Sequence, residues 1–209
     1  MFYLNIKIIY IFIIIIILSL LNSLPNNYSI EKEIKKTSLK ENEKIHKINN
    51  IYFKIIKENN DINNQKKTMM SNIINNIYNL KDYLYKNIDK YPKYRKYIIN
   101  LQKNLNNNTI IKETFDDTKT SYSLNKGEVL SFCLKSKNTK KIHDINTLMY
   151  VAIHEIAHIA SPEFGHDELF NKIFRFFIVE SINIGIYKYV NYNLYPIEYC
   201  GMQINSNIL

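Results

Sequence analysis

The sequence predicts an α+β fold: a short antiparallel sheet, then a central helix and following helices, set behind an N-terminal hydrophobic segment. Three observations carry this. Apolar residues change from helical spacing to short strand-like runs after Asn106-Asn107-Asn108 and return to helical spacing beyond Asp144. Histidine is scarce, at 5 in 209 residues, yet three fall between 154 and 166. Finally, the chain begins with the apolar run IIYIFIIIIILSLL, Ile8 to Leu21.

No polar face interrupts that run, which speaks against a soluble core helix. Counted from Phe2 to Leu24 it reaches bilayer length. It reads as a retained membrane anchor over 1–24. The alternative is a cleaved secretory signal, with Ser23 as a small residue near the cut. Lys7 alone precedes it, whereas Lys32, Lys35, Lys36, Lys40 and Lys44 follow. The positive-inside rule therefore favours a cytoplasmic C-terminal part.

Residues 25–68 are polar and rich in Lys and Asn, and read as a basic tether with fragments of helix. The net charge of +9 belongs to this half: residues 1–110 hold 18 Lys/Arg against 8 Asp/Glu, and residues 111–209 hold 10 against 11. A basic arm of this kind is a solvated linker or a contact for nucleic acid or an anionic membrane.

The folded part is expected over 69–209, with its core at 109–209. Met70, Ile73, Ile74, Ile77, Leu80 and Leu84 recur at helical spacing, with Ser71 as a candidate cap. Pro92 interrupts, and Tyr94, Tyr97, Ile98, Leu101 and Leu105 begin a second helix. Thr109–Phe115, Ser121–Asn125 and Glu128–Lys135 read as strands, with Lys126-Gly127 as the tight turn between the last two. A helix follows from Asn146 to Ala160, ended by Pro162, and another starts near Asp167. Cys133 and Cys200 form no C-x-x-C pair; a small buried residue suits Cys133, and a bridge between the two is left open.

Chemistry concentrates in His154-Glu155-Ile-Ala-His158. Two histidines four apart on a helix emerge on one face, one turn apart, and can grip one metal ion. Glu155 stands at the side of that face, within reach of a metal-bound water without being a ligand. Gly165 lets the chain turn back, so that His166 becomes the third ligand; Glu163 and Asp167 are its competitors. Three protein ligands and one open position mark a catalytic zinc (Zn2+) site rather than a structural one. Glu155 would then be the general base of metal-assisted hydrolysis. His46 reads as a solvated residue and His143 as a loop or helix-entry residue. The Glu128–Lys135 strand could offer its edge to an extended peptide.

At these residues the chain resembles the WLM/SprT-like zinc metallopeptidases, which include the Spartan-type DNA–protein crosslink proteases. The shared signature is the HExxH of 154–158 followed by Gly165-His166-x-x-x-Phe170. More narrowly it is similar to WLM-domain proteins of large double-stranded DNA viruses, through the run Asp144 to Glu155, Ser131 to Lys135 and Glu198 to Met202. The resemblance covers residues 109–209. It implies a zincin core, zinc ligands at His154, His158 and His166, and a catalytic glutamate at 155. The expected activity is a membrane-anchored zinc metallopeptidase acting on proteins or peptides, in a virion or host-cell membrane. A DNA-associated crosslink-type protease recruited by the basic tether, and a non-catalytic zinc-fold virion protein, are the alternatives.

Overall fold

The computed structural model describes residues 43–114 and 118–209. The expected anchor over 1–24 lies outside them, as does the first part of the tether. Among the described residues, no helix is long and apolar enough to cross a membrane.

The structure is mixed α+β. Strands β1 (Glu43–Ile48) and β2 (Ile51–Ile56) form a hairpin closed by Asn49 and Asn50, both in the left-handed region at φ 46° and 65°. Asparagine tolerates that region better than most residues, which suits a two-residue hairpin turn. Helix α1 (Asn60–Lys86) starts at Asn59, whose side chain accepts from the Ile62 amide, and ends at Asn87. A short 3-10 turn (Ile88–Lys90) leads to α2 (Arg95–Asn104). Strands β3 (Ile110–Glu113), β4 (Tyr122–Leu124) and β5 (Val129–Phe132) precede α3 (Ile145–Ala160) and α4 (Glu168–Asn183). A hairpin of β6 (Ile197–Tyr199) and β7 (Met202–Ile204) ends the described chain.

Two expectations are corrected here. First, the sheet is mixed, in the order β1-β2-β3-β5-β4, with β2–β3 and β3–β5 parallel and only the outer pairs antiparallel. Parallel neighbours need a crossover connection, here α1 and α2 between β2 and β3. Second, much of the tether is built into the fold. Phe53 and Ile55 of β2 are buried, and α1 begins nine residues before the Met69 start expected from the sequence. Lys66 is only 1% exposed; its ammonium bonds Glu58 at 2.5 Å and Glu113 at 2.8 Å. A buried charge must be paired in this way, so this lysine is committed to the core rather than to a nucleic acid.

The remaining elements fall close to their predicted places. On α1, the apolar stripe Met70, Ile73, Ile74, Ile77, Leu80 and Leu84 is wholly buried. Each such side chain contributes roughly 1.5–3 kcal/mol of transfer free energy. Helix α3 is the central element, packed against α1, α2, α4 and β4. Nearly every residue on it is buried, which is why its sequence is apolar all round. Asp144 caps it by accepting from Thr147, and Asp167 caps α4 by accepting from Phe170. The turn between β4 and β5 is held tightly against α2. A Cβ on Gly127, at φ +110°, would come within 2.7 Å of the Asn104 carbonyl oxygen.

A candidate metal centre

The structure brings His154, His158 and His166 together. The first two stand on one face of α3, separated by one turn, and the loop from Ser161 to Asp167 returns the third. Gly165 sits at φ +89° in open space, so glycine serves conformation there rather than close approach. The three Nε2 atoms form a triangle with sides of 3.1 Å (154–158), 3.1 Å (158–166) and 2.9 Å (154–166). Three ring nitrogens cannot all hydrogen-bond one another, because each neutral imidazole has one donor and one acceptor nitrogen. Three converging lone pairs instead fit a cation: zinc–nitrogen bonds of about 2.0–2.1 Å in a tetrahedron set the nitrogens about 3.3–3.4 Å apart. The observed triangle is within a few tenths of an ångström of that, and these residues could hold a metal ion. The predicted competitors Glu163 and Asp167 are not in the cluster.

The electrostatics agree. Burial, with His158 and His166 nearby, lowers His154 to a pKa of about 3. Burial, His166 and Lys126 lower His158 to about 4. Both imidazoles are therefore neutral near pH 7, the form that binds metal. Glu155 is shifted the other way: burial raises its pKa to about 7, against hydrogen bonds from Ser123 on β4 that favour the ionised form.

Phe170 explains the spacing of the Gly165-His166-x-x-x-Phe170 segment. Only 1% exposed, it stacks on His158 with centroids 4.1 Å apart and meets His154 and His166 edge-on, at 4.9 Å each. One ring on the first turn of α4 thus orients all three imidazoles, the role that second-layer contacts play in metal sites. Lys126, in the β4–β5 turn, donates to the carbonyls of His158 and Glu163 and ties the returning loop to the sheet.

A cleft of about 910 Å³ opens over the cluster. Its lining includes the three histidines, Glu155, the segment Thr120–Ser123 with Asn125, and Met202 to Ile208. This places β4, rather than the predicted Glu128–Lys135 strand, beside the histidines as the sheet's edge. Strand β5 is interior, paired on both sides by β3 and β4. Sequence reasoning also missed the wall made by the C-terminal residues and the part played by Ser123. Neither has a local signature, since both depend on chain segments meeting from a distance. His46 stacks on Phe53 at 5.5 Å, and His143, in the loop entering α3, is buried against Tyr199. Cys133 and Cys200 are joined by a disulfide.

No family model matches the chain. It is 44% identical over 130 residues to the uncharacterized protein R325 of Acanthamoeba polyphaga mimivirus, covering 62% of this chain and 66% of that protein. With the uncharacterized protein 136R of Invertebrate iridescent virus 6 it shares 31% identity over 96 residues, 44% of this chain and 53% of the relative. The uncharacterized protein 042R of Invertebrate iridescent virus 3 matches at 34% over 71 residues, 34% of this chain and 44% of the relative. The chain thus spans between 44% and 66% of the length of these relatives. They are viral proteins, as the resemblance implied. Among solved structures, Wss1 from Saccharomyces cerevisiae matches 43% of this chain and 71% of its own, at 17% identity and a TM-score of 0.35.

Proposed function

We propose that this chain is a zinc-dependent metallopeptidase in which His154, His158 and His166 are the ligands and Glu155 is the general base. The observation that carries the reading is the triangle of Nε2 atoms at 2.9–3.1 Å, in one cleft with a buried carboxylate. Zinc held there would lower the pKa of a bound water and polarise the scissile carbonyl. Glu155 then takes the proton of the attacking water and hands it to the leaving amine, acting as base and then as acid. In the metal-free fold, burial raises the pKa of this carboxyl to about 7. Ser123 holds the carboxylate in place. The edge of β4 supports an extended substrate through backbone hydrogen bonds, which favours proteins or peptides over small molecules.

A buried Glu155 also weighs against the reading of a purely structural zinc fold. Such a site gains nothing from a carboxylate held at an energetic cost beside its ligands, whereas displaced pKa values are common where acid–base chemistry occurs. Anchoring through residues 2–24, in a virion or host-cell membrane, is part of the same proposal. Its support is the apolar run Ile8 to Leu21, which holds no charged residue.

The test is digestion of a protein and peptide library by purified, zinc-loaded protein, with and without a chelator. Chelator-sensitive cleavage is expected, restored on adding zinc back. Absence of any such cleavage would reject the metallopeptidase. Carbonate extraction of the expressed full chain tests the anchor: it is expected to stay with the membranes, and release at full size would reject anchoring.

A further inference from the structure

The disulfide between Cys133 and Cys200 lies outside the metal centre, yet it is attached to the cleft. Cys133 follows β5 directly, and Cys200 forms the turn between β6 and β7. The bridge therefore joins the main sheet to a separate two-stranded sheet of three residues a side. The residues that continue from Cys200, Met202 to Ile208, line the same cleft as the three histidines and Glu155.

A hairpin this short has little stability of its own. Beside the bridge, its main anchor is Tyr199, whose hydroxyl is hydrogen-bonded to Ser121 and donates to the Cys133 carbonyl at 3.0 Å. The Cys200 amide also donates to His143 Nε2 at 3.3 Å. Further on, Tyr189 donates to Asn207 at 3.1 Å, Ser206 bonds Tyr150, and Ile204, Ile208 and Leu209 pack half-buried against the core. The bridge spans a sequence separation of 67 residues, from the end of β5 to the β6–β7 turn. Cys133, 7% exposed, also lines a second cavity, of about 300 Å³.

We propose that Cys133–Cys200 is a thiol-exchange site that latches the cleft wall, so that reduction by a small thiol such as glutathione loosens Ile197–Ile208 and weakens substrate binding. In the first step a glutathione thiolate attacks the Cys133 sulfur. The S–S bond breaks, and its electron pair leaves on the Cys200 sulfur. A second glutathione thiolate attacks the mixed disulfide, releasing the Cys133 thiolate and oxidised glutathione. Both protein thiolates take protons from water, so two thiols of glutathione are oxidised as one protein disulfide is reduced.

The consequence for cleavage rests on the metallopeptidase reading; the loosening of the wall does not. The test uses zinc-loaded full-length protein equilibrated in buffers of reduced and oxidised glutathione. Thiol state is read by alkylation and mass spectrometry, backbone protection by hydrogen exchange, and zinc content by metal analysis. Reduction is expected to lower protection of 197–208 by at least about tenfold, leaving α1, α3 and zinc content unchanged, with recovery on reoxidation. On a cleaved library peptide, the reduced protein and the Cys133→Ser/Cys200→Ser variant are expected to show a raised KM with kcat held. Equal protection in both redox states would overturn the latch, as would equal KM. A loss of protection across α1 and α3 as well would overturn it too, because the bridge would then be a general staple. If neither redox state cleaves anything but the wall still loosens on reduction, the latch stands and the metallopeptidase falls.

Discussion

Replacing Glu155 with glutamine should stabilise the metal-free protein at high pH while removing catalysis. The reason is the burial of its carboxyl group, 6% exposed and with a pKa raised from 4.5 to about 7. The unfolded chain gives up this proton at the ordinary carboxylate pKa, whereas the folded chain holds it until about pH 7. Folding stability therefore falls as pH rises through that window and stays reduced above it. At about 1.36 kcal/mol per pKa unit, the ionised carboxylate costs the metal-free fold about 3 kcal/mol. A glutamine amide keeps the shape and carries no charge, so the cost disappears. Urea unfolding of metal-free wild type and Glu155→Gln at pH 4 and pH 8.5 measures this. Near-equal stabilities are expected at pH 4, and an advantage of about 3 kcal/mol for the variant at pH 8.5. Zinc should narrow the gap, because a dication beside the carboxylate offsets its desolvation. Peptide hydrolysis by the variant should fall by about 10²–10⁴-fold. No stability gain at pH 8.5 would refute the buried, perturbed carboxylate, and undiminished hydrolysis would refute its role as base.

The metal centre makes its own predictions. His158→Ala should lower bound zinc from about one per chain to near zero, measured by metal analysis after gel filtration; unchanged stoichiometry would remove His158 from the ligand set. Because His154 and His158 are held at about 3 and 4, below the ordinary histidine value of 6.5, the unfolded chain takes up protons first as pH falls. Stability of the metal-free Glu155→Gln protein should therefore decline from about pH 6.5 downward, and a flat profile between pH 7 and pH 5 by urea unfolding would contradict the half-buried, neutral imidazoles. Gly127→Ala should destabilise the fold by about 2–3 kcal/mol, because the new Cβ meets the Asn104 carbonyl from a left-handed backbone. A change within about 0.5 kcal/mol, the size of an ordinary surface substitution, would show that the β4–β5 turn is not held as tightly as described.

The elements legible in the sequence were those whose signal is local. The apolar stripe of α1, the start of a helix near Asp167, Pro162 as a stop and Gly127 in a turn each depend on residues within a few positions of one another. The β1–β2 hairpin was missed because its lysines and asparagines resemble a solvated linker. Only in the folded chain do Phe53 and Ile55 prove buried and Lys66 prove paired. A lysine that neutralises Glu113 in a core has the same sequence signature as one that faces water.

For the candidate site, the sequence by itself determined the two histidines of α3 and the carboxylate beside them, since helical pitch alone puts positions 154 and 158 on one face. It also marked His166 as a returning residue, through Gly165. Tertiary structure alone decided that β4 rather than β5 is the sheet edge at the cleft, and that Ser123 lies against Glu155. It likewise decided that Phe170 touches all three imidazoles and that Met202–Ile208 form a wall joined through Cys200 to the main sheet. The physical reason is sequence separation: periodicity and capping act over a few residues, whereas strand order, the Cys133–Cys200 bridge and the perturbed pKa of Glu155 arise from contacts between residues tens of positions apart.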